Sequence, residues 1–88
     1  MEQPLQTSTT LLEIPPNTRA RVVDFHGLTT VQVESLQAYG LVPGNLLQVL
    51  QHAPVTVIQV GNTELALEAD LARQVEVEQL ASAPVNGA

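Results

Sequence analysis

The chain of 88 residues has no cysteine, no lysine and no tryptophan, and only one each of phenylalanine, tyrosine and methionine. Without cysteine there is no disulfide scaffold, thiolate zinc site, iron–sulfur cluster or thiol nucleophile. Without lysine, Arg19, Arg21 and Arg73 are the whole basic complement against nine acidic side chains, for a net charge of -6. Phosphate recognition rests on clustered Lys and Arg, so nucleic acid is excluded as an expected partner. No run approaches the ~18 apolar residues of a membrane span. The first ten residues carry Glu2 and have neither the basic start nor the apolar stretch of a secretion signal, which predicts a soluble cytoplasmic protein. Phosphate-cradling glycine loops are missing, and Ser8, Ser35 and Ser82 stand in no catalytic context.

What remains is one small domain rich in Val, Leu, Ile and Ala. The hydrophobic fraction of 44% is too high for disorder, and the charged fraction of 14% is too low for a coiled coil. Residues 1–10 lack periodicity, and residues 81–88 are small residues with Pro and Gly, so both read as disordered tails around a domain at 11–80.

Within that domain the pattern is mostly of strands. Arg19 to Phe25 follows a Pro15-Pro16-Asn17 turn and is β-prone up to His26-Gly27. Thr29 with Gln32 resembles a capping box for a helix over 30–39, which Gly40 ends as its left-handed residue. Pro43-Gly44 fits a type II turn. Leu46 to Gln51, Val55 to Val60 and Thr63 to Leu67 form a meander, the last two joined by the hairpin signal Gly61-Asn62. Residues 68–73 read as a helical turn with acidic residues first and Arg73 last. Val75 to Glu78 alternates apolar and charged residues as an edge or closing strand. Five short strands with one short helix after the first strand and a helical turn before the last favour a small closed barrel, since closure removes edges. Val22, Leu36, Val49, Val57, Leu67 and Val77 are the expected core.

The segment Leu36-Gln37-Ala38-Tyr39-Gly40-Leu41-Val42-Pro43-Gly44 resembles the L-x-x-x-G-L-x-P-G signature of FeoA domains. The later Gly61 turn into Leu65-Ala66-Leu67, and Leu71-Ala72 before Val75-x-Val77, follow at the family's spacing over residues 12–79. The resemblance implies an SH3-like five-stranded barrel whose structural signature is Leu36, Gly40, Leu41, Pro43, Gly44 and Gly61. It also implies a non-enzymatic accessory of ferrous iron transport that contacts the cytoplasmic GTPase domain of a FeoB-type transporter. A similar barrel ends repressors of the diphtheria toxin repressor type, but the winged-helix half of those proteins is missing here. Three departures stand out. Val33-Glu34-Ser35 replaces the family's basic residue before Leu36, Pro54 runs into Val55 without a Gly-Asp-Pro loop, and Asn17 stands where the family has Gly.

Candidate chemistry is sparse. Asp24 and His26, two apart on a strand, would share a face and offer a carboxylate and an imidazole to a divalent ion. The competing reading leaves His26 solvated beside the Gly27 turn, and His52 beside its own turn is a weaker ligand. Glu68 and Asp70, with Glu64, are hard oxygen donors suited to Fe²⁺ or Mn²⁺, against the reading that they complement a helix N-terminus. A small metal sensor or chaperone is therefore the alternative to the interaction module. Leu41, Val42 and Leu46 around the turn are candidate partner contacts, with core packing favoured for Leu41. Edge-to-edge pairing of Val75 to Glu78 would give weak self-association.

Overall fold

Strand-forming residues and tight turns divide the described residues into six strands and two short α-helices. A computed structural model describes residues 8–80, with strands β1 (Ser8–Thr10), β2 (Thr18–Phe25), β3 (Leu46–Gln51), β4 (Thr56–Val60), β5 (Thr63–Leu67) and β6 (Val75–Gln79). Helix α1 (Thr30–Ala38) follows β2, helix α2 (Ala69–Ala72) precedes β6, and a single 3-10 turn occupies Leu11–Glu13. Of the tails expected at residues 1–10 and 81–88, residues 1–7 and 81–88 lie outside the described residues. Ser8–Thr10, read from sequence as tail, is a strand. It pairs antiparallel with β6, Thr9 opposite Val77, where β-branched threonines suit a pleated edge.

All strands belong to one antiparallel sheet in the order β1-β6-β2-β3-β4-β5. Inward residues from β2 to β6, including Val22, Val49, Ile58, Leu67 and Val77, fall in a single core cluster, so the sheet wraps around one interior. The fold differs from the expected barrel in strand number, six instead of five, and in closure. Among the described residues β1 and β5 do not pair with each other. Side chains fill that seam, where α2 packs on the 3-10 turn and Leu11 and Ala72 are fully buried.

Two further expectations are corrected. Val57 is only half-buried, whereas Thr56, Ile58 and Val60 face inward. The register between β3 and β4 shifts between Val49 and Gln51, which leaves Leu50 as an extra residue. Side chains alternate strictly along a strand, so a parity error of one residue exchanges the two faces. The second concerns β6, which lies between β1 and β2 and is not an edge, so its backbone is not free to pair with another chain.

Candidate functional site

The segment after β2 is built from three local devices. Thr29 and Gln32 form the expected capping box, with the Gln32 N–H donating to Thr29 Oγ1 at 3.1 Å and the Thr29 N–H donating to Gln32 Oε1 at 2.9 Å. At the other end of α1, Gly40 has φ +103°, its N–H donates to the Gln37 carbonyl and the Leu41 N–H to the Leu36 carbonyl. These are the two bonds of a Schellman motif, and its hydrophobic contact falls on the buried pair Leu36 and Leu41. Pro43 and Gly44 then form the type II turn, with Gly44 at φ +96° and the Asn45 N–H donating to the Val42 carbonyl at 3.0 Å. The turn is anchored on β2, because Val22 accepts from the Gly44 N–H at 2.8 Å and donates to the Asn45 carbonyl at 2.9 Å.

This geometry sorts the apolar contact candidates. Leu41 is fully buried and belongs to the core, and Val42 is half-buried. Leu46 stays 47% exposed. Sequence reasoning missed Val31 and Tyr39, which are 70% and 54% exposed at the two ends of α1. The available signal is the poor segregation of α1, whose only buried residue is Leu36.

The polar candidates separate into two corners. Just past β2, His26 Nε2 donates to Glu76 Oε1 on β6 at 2.5 Å, with both side chains solvent-accessible. That bond raises the His26 imidazole above its ordinary value, and the nearby Glu76 and Asp24 charges add to it against desolvation. The same bond lowers the Glu76 carboxyl, helped by a bond from the Ser8 side chain. Asp24 lies close enough to bias both groups, but its Oδ1 accepts from the next backbone N–H, that of Phe25, at 2.8 Å. The register of β2 on β6 shifts between Val22 and Asp24, so Val23 is an extra residue that re-aims the strand end. Glu76 is thus a site residue that spacing in sequence did not reveal.

His52 is used differently. Its Nε2–H donates to the Ile14 carbonyl at 2.6 Å, and its Nδ1 lies 2.9 Å from Thr56 Oγ1. A carbonyl only accepts, which fixes the proton on Nε2 and leaves neither nitrogen for a metal. Glu68 caps α2 without a side-chain bond, and Asp70 accepts from Arg73 at 2.6 Å. Glu68, Asp70 and Leu71 border an open cleft of about 350 Å³ against Gly27, Leu28 and Gln74. Among the described residues no three His, Asp or Glu side chains are grouped to hold a metal ion. No described helix is long and apolar enough to cross a membrane.

Residues 9–79 match the model of the FeoA domain. The chain belongs to the FeoA family. It is similar to the crystal structure of an iron uptake regulatory protein, FeoA, at 30% identity and TM-score 0.72, over 84% of this chain and 99% of that one. FeoA of Stenotrophomonas maltophilia, a prokaryotic SH3 domain protein solved in complex with zinc, is 31% identical at TM-score 0.68, over 78% and 88% of the two chains. At the level of fold alone, the crystal structure of T. acidophilum IdeR superposes at TM-score 0.76 with 18% identity, over 90% of this chain and 37% of that one. No curated protein sequence matches the chain significantly. The chain is accordingly an SH3-like scaffold with six strands among the described residues, and its family is associated with ferrous iron transport. Asn17 takes the left-handed conformation, φ +66°, that the FeoA resemblance assigns to Gly at that place.

Proposed function

We propose that this FeoA-family chain is a non-enzymatic cytoplasmic accessory of ferrous iron transport, a protein-interaction module that acts on the GTPase domain of a FeoB-type transporter. The observation that carries the reading is the family match over residues 9–79, which spans every described strand except the first residue of β1. The polar groups support binding better than catalysis. His26 is engaged with Glu76, and His52 with the Ile14 carbonyl and a Thr56 hydroxyl that is 2% exposed and closed to a substrate. Exposed apolar side chains at Val31 and Tyr39, at the two ends of α1, and at Leu46, which opens β3, suit a partner contact. Of the earlier contact candidates Leu46 and Val42 remain in this reading, while Leu41 serves the core.

An amide NMR titration of the ¹⁵N-labelled protein with the transporter's cytoplasmic GTPase domain tests this, with Fe²⁺ alone in parallel. Clustered shifts along α1 and at Leu46 on adding the domain are expected. Silence with the domain, together with Fe²⁺-induced shifts at Asp24, His26 and Glu76 or at Glu68 and Asp70, would sink it. That outcome would establish the second reading, a small protein binding Fe²⁺ or Mn²⁺ through surface carboxylates and His26. The observation that favours this alternative is the His26–Glu76 pair with Asp24 beside it.

A further inference from the structure

The hairpin of β4 and β5 turns through Gly61 at φ +59° and Asn62, which is not among the positive-φ residues. Glycine first with an ordinary second residue is a type II′ turn. In such a two-residue hairpin the flanking pair, here Val60 and Thr63, exchanges backbone hydrogen bonds, and bonded pairs alternate from there. Thr63, Leu65 and Leu67 therefore bond to β4, and the N–H and C=O groups of Glu64 and Ala66 point away from it. Among the described residues no hydrogen bond takes up these four groups.

Sheet edges are usually blunted by brevity, a bulge, Pro or Lys. β1, the opposite edge, is three residues long. β5 carries the single charge of Glu64 and no bulge, Pro or Lys: its register on β4 runs unbroken from Thr56↔Leu67 to Val60↔Thr63. Glu64 and Ala66 are exposed, and Leu65 between them is a partly buried residue packed against the core. The surroundings are acidic. Glu64 is followed by Glu68 and Asp70, and no basic residue lies between Arg21 and Arg73. Arg73 itself is held by Asp70.

We propose that the free edge of β5 docks an extended basic segment of a partner protein, which joins the sheet as an additional strand. The inference rests on the interaction-module reading and gives its partner a chemistry. The bound segment alternates basic and apolar residues: an apolar side chain opposite Leu65 extends the core, and basic side chains flank Glu64 on the outer face. A second copy of this chain fits less well. Antiparallel self-pairing centred on Leu65 brings two Glu64 carboxylates onto one face at diagonal positions, between chains that each carry -6.

The test is a ¹⁵N titration and hydrogen-exchange measurement on the full chain with the capped peptide KVRVK. Slowed exchange at the Glu64 and Ala66 amides is expected, with the Leu65 amide unchanged because β4 already holds it. Ala66→Pro deletes an outward N–H and should abolish binding. Glu64→Lys leaves the backbone intact and should weaken binding by about threefold or more. Shifts confined to the cleft at Glu68 and Asp70, or no shifts at millimolar peptide, would overturn the proposal. So would a dimer in sedimentation whose Ala66 amide is protected without peptide, which would give the edge to a second copy. Because the peptide assay contains no transporter, an edge that fails while the GTPase domain still shifts α1 rejects the docking strand and leaves the accessory role standing.

Discussion

His26 and His52 occupy similar places in the chain, each one residue past the end of a strand, yet the two corners are built on opposite principles. At the inner corner the His52 ring spans Thr56 and the Ile14 carbonyl, and Asn17 nearby donates its N–H to the Val49 carbonyl at 2.6 Å. Thr56 is 2% exposed, so these bonds satisfy groups that water does not reach. At the outer corner His26 meets Glu76 in solvent. Strand-end position therefore does not decide what a histidine does. The decisive feature is which backbone or side-chain group the register places opposite it, and whether that group has water as an alternative.

The comparison sharpens most under His52→Ala. Truncation leaves the Ile14 carbonyl and the Thr56 hydroxyl unpartnered, at about 1–3 kcal/mol each. With about 4–8 °C per kcal/mol for a domain of this size, the melting temperature should fall by at least about 8 °C. Calorimetry showing a smaller loss than His26→Ala would reverse the assignment of the two corners. Asn17→Ala comes next, at about 1–2 kcal/mol, because alanine at a left-handed φ meets its own backbone. Denaturant unfolding checks it, and Asn17→Gly should be close to neutral. Gly27→Ala at the outer corner also meets a positive φ, +75°, and its added Cβ would lie 2.8 Å from Gln74 Oε1. That oxygen ends a flexible side chain that can swing away, so Gly27→Ala should cost no more than Asn17→Ala. A clearly larger loss would mean that the outer corner is as rigid as the inner one.

Local devices were legible in the sequence, and long-range pairings were not. The capping box, the left-handed Gly40, the Pro43-Gly44 turn and the Gly61-Asn62 hairpin are each set by residues within five positions of one another, and all four form. β1 escaped notice because Ser-Thr-Thr has no apolar alternation, and it becomes a strand only when β6 is beside it. The inward face of β4 is ambiguous in sequence because Val55 and Val57 on one face compete with Ile58 and Val60 on the other. The sites suffered most. Glu76 is 50 residues from His26, and Ile14 is 38 from His52, so both partners depend on register across the sheet. The bulge at Val23 shifts that register further.

The smallest expected effect belongs to the outer pair, and its pH dependence identifies it. His26 is raised from 6.5 in the fold, so its contribution is complete below that value and is lost as pH climbs through the raised one. Glu76 is lowered from 4.5, so its contribution is complete above that value and is lost as pH falls through the lowered one. The stability difference between the protein and His26→Ala should therefore be largest between about pH 4.5 and 6.5 and shrink on either side. Salt should reduce it, since both groups face solvent. Melting curves of the protein and of His26→Ala from pH 4 to 9, at low and high salt, therefore identify the pair as an ionic clasp. A difference that stays flat across that range would mean that the outer corner is not held by charge.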